Sequence, residues 1–194
     1  YELAILKYVR EGLFGEIVHC AGGYLHDIRR EIAFGKENRH YRLRNYLNRN
    51  VENYPTHELG PIAKILDINR GNRMVSLTSF SSKACGMHEF IKMHKSEDKE
   101  LLNAIWKQGD IVTTVIECAN GETITLTLDT SLPRPYSRGF TVRGTLGGFQ
   151  EDGNLLIFES YRNGHRSKNT RKYVKKHPHP IWEASRKKTN KKFH

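Results

Sequence analysis

The run Ile111-Val112-Thr113-Thr114-Val115-Ile116-Glu117-Cys118, the turn Asn120-Gly121 and the alternating Thr123-Ile124-Thr125-Leu126-Thr127-Leu128 constrain this chain more than any other feature. Asn-Gly tolerates the positive φ angles of a tight hairpin turn, and a period of two decides which side chains share a face. Thr123, Thr125 and Thr127 therefore face one way, and Ile124, Leu126 and Leu128 the other. Such a ribbon has one face to bury. Further on, Phe140–Leu146 and Asn154–Phe158 read as two more strands, joined through Gly147-Gly148 and Glu151-Asp152-Gly153. The intervening Leu132-Pro133-Arg134-Pro135-Tyr136-Ser137-Arg138-Gly139 must leave the sheet, because prolines cannot donate within a central ladder. Successive hairpins predict an α+β domain: a largely antiparallel open β-sheet with helices packed on one face.

The helices come from the N-terminal half. Leu3, Ala4, Ile5, Leu6 and Val9 are spaced among Lys7, Arg10 and Glu11 as in an amphipathic helix ending at Gly12. Residues 15–21 read as a strand, which Gly22-Gly23 breaks or bulges just before Tyr24-Leu25-His26-Asp27. Alternation puts Tyr24 and His26 on one side and Leu25 on the other. Residues 28–53 are polar and Arg/Asn-rich, without obvious secondary structure, and their interleaved Tyr41 and Tyr46 favour an ordered functional loop. A helix over 56–68, a turn at 69–72, a strand over 74–80, a polar loop over 81–96 and a short helix over 97–106 complete the pass.

The net charge of +11 invites a nucleic-acid partner, but its distribution argues otherwise. Residues 161–194 hold 12 Lys/Arg against one acidic residue, leaving 1–160 balanced at 20 of each sign. The chain thus divides into a substrate-binding sheet domain, 1–160, and a basic C-terminal segment, 161–194, expected to be part of the same domain or a solvated, partly disordered tail, and lacking a nucleic-acid motif. No run of 18 apolar residues offers a membrane span. Cys20, Cys85 and Cys118 are too dispersed for a zinc knuckle and lie near apolar runs, as core thiols do. His88 and His94 have no third partner at a metal-like spacing. No Gly-rich phosphate loop occurs, so no nucleotide cradle is expected in these residues.

Chemistry concentrates in Asn53-Tyr54-Pro55-Thr56-His57-Glu58-Leu59-Gly60-Pro61. With Thr56 capping the following helix, Tyr54 and His57 would sit at its N-terminus, where free N–H groups and the dipole favour electron-rich ligands such as substrate oxygens.

Five ordered pieces resemble glycoside hydrolase family 109: Gly22–Asp27, Tyr41–Arg44, Asn53–Pro61, Asp67–Gly71 and Leu132–Ser137. These are NAD-dependent α-N-acetylgalactosaminidases of the Gfo/Idh/MocA oxidoreductase superfamily. The resemblance implies that this chain is the substrate-side domain of an enzyme whose N-terminal Rossmann domain, which binds NAD, precedes Tyr1. It also implies sugar contacts at Tyr24, Arg42, Tyr54, Pro55, Thr56, His57 and Tyr136, with His26 an active-site histidine beside them. The family reaction oxidises sugar C3, removes the C2 proton, expels the aglycone, adds water and reverses. For the proton transfers the candidates are His57 or Tyr54, with Tyr24 and His26 orienting hydroxyls or assisting the leaving group. A glycosidase acting by direct displacement would need two carboxylates flanking the bond, and only Asp27 and Glu58 lie near these motifs. An extracytoplasmic bacterial setting and a homo-oligomer formed through the sheet are implied by the same resemblance. A sugar dehydrogenase domain and a non-catalytic carbohydrate or oligomerisation domain stand as alternatives.

Overall fold

The computed structural model describes residues 1–159 and 167–188. In chain order the elements are α1 (Glu2–Arg10), β1 (Ile17–Leu25), α2 (Arg29–Ala33), α3 (Tyr41–Asn48), α4 (Thr56–Ile65), β2 (Met74–Ser81), α5 (Gly86–His94), α6 (Lys99–Leu102), β3 (Ile111–Cys118), β4 (Thr123–Asp129), β5 (Thr141–Gly144), β6 (Gly147–Gln150), β7 (Leu155–Phe158), β8 (Lys168–Asn169), α7 (Thr170–Lys176) and α8 (Pro180–Lys188). One sheet carries the strands in the order β2-β3-β4-β1-β5-β6-β7-β8. Among the described residues only β1 and β4 run parallel. The fold is α+β, with a mostly antiparallel open sheet.

The predicted hairpin is present, with Ile116 opposite Ile124 and Thr114 opposite Leu126. Ile116, Ile124, Leu126 and Leu128 are buried, while Val115 and Glu117 on the opposite face are exposed. Each fully buried Ile or Leu contributes roughly 1.5–3 kcal/mol, so the covered face anchors the domain. Ala4, Ile5 and Tyr8 of α1 and Ile62 and Ile65 of α4 close over it on one side. A second cluster joins Ile32 and Ala33 of α2, Leu43 and Tyr46 of α3, and Met87, Phe90 and Ile91 of α5.

Several local expectations give way to tertiary structure. Residues 28–53 contain two helices, α2 and α3, each burying only two side chains, which is too few to register as a hydrophobic period. His40 caps α3, its ring nitrogen accepting from the Arg42 N–H at 3.2 Å. The stretch 81–96 contains α5, whose first N–H groups are met by Asp110: its carboxylate accepts from the backbone of Cys85 at 2.7 Å and of Gly86 at 3.0 Å. Conversely, the helix expected over 97–106 is confined to the short α6. The segment 140–146 stops at Gly144, and Gly147–Gln150 forms a strand of its own. Cys20 and Cys118 are buried, but Cys85 is exposed.

Two glycines expected to interrupt β1 lie inside it. The strand runs through Gly22 and Gly23 in register with Leu126 and Thr127, because β4 holds it and α4 presses close; a Cβ on Gly22 would stand 2.7 Å from the Cβ of Glu58. The irregularity falls between Ile17 and His19 instead. Part of the basic segment is structured: β8 pairs with β7, and the Tyr8 hydroxyl donates to the carbonyl of His177 at 2.8 Å. The segment also carries α7 and α8, and residues 161–166 and 189–194 lie outside the described residues.

Candidate functional site

Three pieces of chain converge beside the end of β1. The last residues of β1 and those just after it present Tyr24 and His26, the entry to α4 presents Tyr54 just before the N-cap and His57 in the first turn, and the proline-bearing segment before β5 presents Tyr136 and Arg138. Tyr24 sits at the centre. Its ring centroid lies 4.8 Å from that of Tyr54, 5.1 Å from His57 and 5.8 Å from His26. The Tyr24 hydroxyl is 3.4 Å from Nδ1 of His26, and the His26 ring meets Tyr136 edge-on at 5.2 Å. Tyr24 is buried, Tyr54 and His26 are half-buried, and His57 and Tyr136 are exposed. The result is a buried phenol fringed by exposed rings, a surface on which a sugar can lie with its hydroxyls against polar ring edges.

The backbone explains how the first turn of α4 is held. Pro55, not Thr56, occupies the N-cap position, and no side chain caps the helix; Thr56 is its exposed first residue. Pro61 lies inside the helix. It has no N–H to give the carbonyl of His57, four residues earlier, and Arg138 supplies a donor instead, Nη1 to His57 O at 3.4 Å. Gly60 suits the position before it, since a residue with a Cβ there resists the helical conformation.

Arg42 and Tyr41, both on α3, complete the arrangement. Arg42 Nε donates to the Tyr54 hydroxyl at 2.7 Å, while its Nη1 is ion-paired with Glu31. The hydroxyls of Tyr41 and Tyr54 are hydrogen-bonded to each other. Arg138 reaches the Tyr136 hydroxyl through Nε at 3.1 Å and Glu2 through Nη1 at 2.6 Å.

Protonation follows from burial. Burial pushes the Tyr54 phenol up to about 12, helped by Tyr41 and opposed by Arg42. Tyr24 is likewise raised by burial, with Arg42 opposing. Both phenols are therefore neutral donors near neutral pH. Of the two acids near the motifs, Asp27 is tied to Arg29 at 2.9 and 2.7 Å, which holds it below the usual carboxylate range. Glu58 is 2% exposed, and among the described residues neither of its oxygens has a hydrogen-bond partner.

The structure thus gathers Tyr24, His26, Arg42, Tyr54, His57 and Tyr136 into one cluster, flanked by Pro55 and Thr56. Sequence reasoning missed Tyr41, Glu31 and Arg138 as members. Nothing in their spacing sets them apart from surface residues; Pro61, by freeing a carbonyl one helical turn back, is the signal that a donor was needed. No group of three or more His, Cys, Asp or Glu side chains that could hold a metal occurs among the described residues. No helix among them is long and apolar enough to cross a membrane.

The family model described as glycosyl hydrolase 109, C-terminal domain, matches residues 1–194. An α-N-acetylgalactosaminidase of Tannerella forsythia is 39% identical over 201 residues, covering 94% of this chain and 43% of the relative. A glycosyl hydrolase family 109 protein of Parabacteroides distasonis is also 39% identical, over 203 residues, with the same coverage. The chain therefore spans less than half the length of these curated relatives. Among solved structures, levoglucosan dehydrogenase in complex with NADH and levoglucosan superposes with a TM-score of 0.57 at 19% identity, over 86% of this chain and 43% of that one. An inositol dehydrogenase homolog from Azotobacter vinelandii, complexed with NAD+, gives 0.51 at 16%, over 87% and 40%. These two likenesses establish the fold.

Proposed function

Because the chain belongs to the glycosyl hydrolase 109 family, as its C-terminal domain, we propose that it is the substrate-side domain of an NAD-dependent glycosidase acting on α-N-acetylgalactosaminides. The observation that supports this reading best is the contact of Tyr24 with Tyr54, His57 and His26, which sets proton donors and an exposed imidazole around one phenol.

These residues fit the sugar side of such a reaction and not the dinucleotide side: they contain no Gly-rich turn feeding a helix, the structure that seats a pyrophosphate. When bound elsewhere in the protein, NAD supplies a hydride acceptor for sugar C3 and returns the hydride at the end. The present residues handle protons. His57, the exposed imidazole, is our base for the proton on C2, whose acidity an adjacent ketone raises. Tyr54 is ill suited to that role, since burial keeps its proton on. The neutral phenols of Tyr24 and Tyr54 donate to sugar oxygens, and Tyr24 with His26 delivers a proton toward the departing glycosidic oxygen. Arg42, already tethered to Glu31, holds Tyr54 in place and offers its remaining N–H groups to substrate oxygens. Tyr136 forms the outer wall.

Incubating the full-length parent with an α-N-acetylgalactosaminide and NAD+ in D2O, followed by NMR of the released sugar, tests this directly. Deuterium at C2 without net NADH is the expected result. Release without exchange at C2 means direct displacement, and NADH accumulating without release means a sugar dehydrogenase.

A further inference from the structure

Glu58 follows His57 in the first turn of α4 but points the other way, into the domain. Its Cβ is pressed against the backbone of Gly22, two residues before Tyr24, closely enough that no side chain fits at position 22. The side chain is 2% exposed, and among the described residues neither carboxyl oxygen has a hydrogen-bond partner. An ionised carboxylate in that setting is shut off from water, with only its own backbone N–H and the distant charge of Arg138 to favour it, so holding a proton costs less.

The groups facing it do not offset that cost. From the segment before α4 comes Glu52, a second acid, which accepts from the Tyr54 N–H at 3.2 Å through one oxygen while the other is buried with no partner among the described residues. From β1 comes the phenol of Tyr24, whose ionisation a charged Glu58 opposes; His57, beside it on α4, is turned out to solvent. Among the described residues the cation acting on it is Arg138, from the segment before β5, and its charge is already matched by Glu2 of α1 at 2.6 Å. Burial and the repulsion of Glu52 accordingly raise Glu58 to about 8, and burial raises Glu52 to about 7. Glu58 in turn opposes ionisation of Tyr24.

We propose that Glu58 is a positioning residue of the sugar site, a neutral carboxyl walled in behind Tyr24 whose ionisation sets a negative charge against the tyrosine–histidine cluster and turns it off. This role rests on the function proposed above. It makes the site one that works with an uncharged inner wall and loses activity on the alkaline side for a reason located outside the residues that touch sugar.

The test has two readouts on the full-length parent. Infrared difference spectra of the wild-type protein across the alkaline range should show the carbonyl stretch of neutral carboxyls near neutrality, fading as pH rises; Glu58→Gln should lose the component that fades at the higher pH and keep the one that Glu52 contributes. In the profile of kcat/KM against pH, the wild type should fall by about tenfold for each unit above the Glu58 transition, and Glu58→Gln should carry that limb upward by a unit or more. Superimposable profiles overturn the proposal, as does the absence of the carboxyl band from the wild type. A folded Glu58→Gln enzyme that is inactive at every pH also overturns it, because the carboxyl would then act chemically. If the parent turns over no glycoside at all, the infrared result still stands and the reading of the reaction is what fails.

Discussion

Arg138 donates to the backbone carbonyl of His57 at 3.4 Å, the place that the N–H of residue 61 would take in an uninterrupted helix and that Pro61 cannot. A residue absent from every motif thereby secures the turn carrying the exposed imidazole, while Nε of the same guanidinium holds the Tyr136 hydroxyl at 3.1 Å. Replacing Arg138 by Gln should loosen both walls of the cluster at once. A rise in KM of about tenfold or more is expected, corresponding to roughly 1.4 kcal/mol of binding, together with a modest loss of stability. Steady-state kinetics on the full-length parent would show it, and an unchanged KM would remove Arg138 from the site.

Removing His57 tests the chemistry itself. In the full-length parent, His57→Ala should lower kcat by about 10²–10⁴-fold, the range set by loss of a general base, with C2 deuterium exchange falling in parallel. His57 is exposed, so the fold should be undisturbed and circular dichroism unchanged. Normal turnover would leave it without a chemical role.

Tyr54→Phe separates a donor from a base. Burial holds the Tyr54 phenol at about 12, so near neutrality it can only donate. Deleting its hydroxyl strands Nε of Arg42, now 2.7 Å away, and removes the partner of Tyr41. The expected outcome is a weaker KM with C2 exchange retained. Abolished exchange would show that Tyr54 takes the proton after all.

The sheet was legible in the sequence because one strong pattern, the hairpin of 111–128, imposes its alternation on its neighbours. The site residues were legible through the resemblance and through the polar turn at 53–61, whose ring-bearing side chains do come together. What escaped was fixed at long range. The helix α5 looked like a loop because its N-terminus is satisfied by Asp110, which belongs to the segment before β3. Gly22-Gly23 looked like a break because nothing local reveals that α4 lies against that strand. Glu58 stood in the sequence only as one of two acids near the motifs, since nothing local shows that one turn of helix carries His57 to solvent and its neighbour into the core.

Gly22→Ala probes that close approach. The new Cβ would stand 2.7 Å from the Cβ of Glu58 and 3.3 Å from Cδ1 of Ile62, so α4 must move or the side chains must leave their rotamers. Overpacking of this kind costs about 1–3 kcal/mol, and a fall in Tm of roughly 2–4 °C per kcal/mol is expected for a chain of this size. Turnover should fall as well, because the displaced turn carries His57. An unaltered Tm would mean that the helix stands farther from the strand than described.

Stability should also respond to Glu58 with a definite sign. In the unfolded chain this carboxyl titrates near 4.5, whereas in the folded protein burial raises it to about 8. Between those values the folded state binds the extra proton, so stability falls as pH rises through that window and the penalty is complete above about 8. Below about 4.5 both states are protonated and the group is neutral in its effect. Glu58→Gln removes the titration while keeping the shape, and should therefore gain little stability at acid pH and on the order of 3 kcal/mol above pH 8. Denaturant midpoints of the two full-length proteins measured across this range give the comparison. A gain that is constant with pH would show that glutamine improves packing alone, and a gain confined to acid pH would mean that the carboxylate is stabilised in the folded protein, against the burial that raises its pKa.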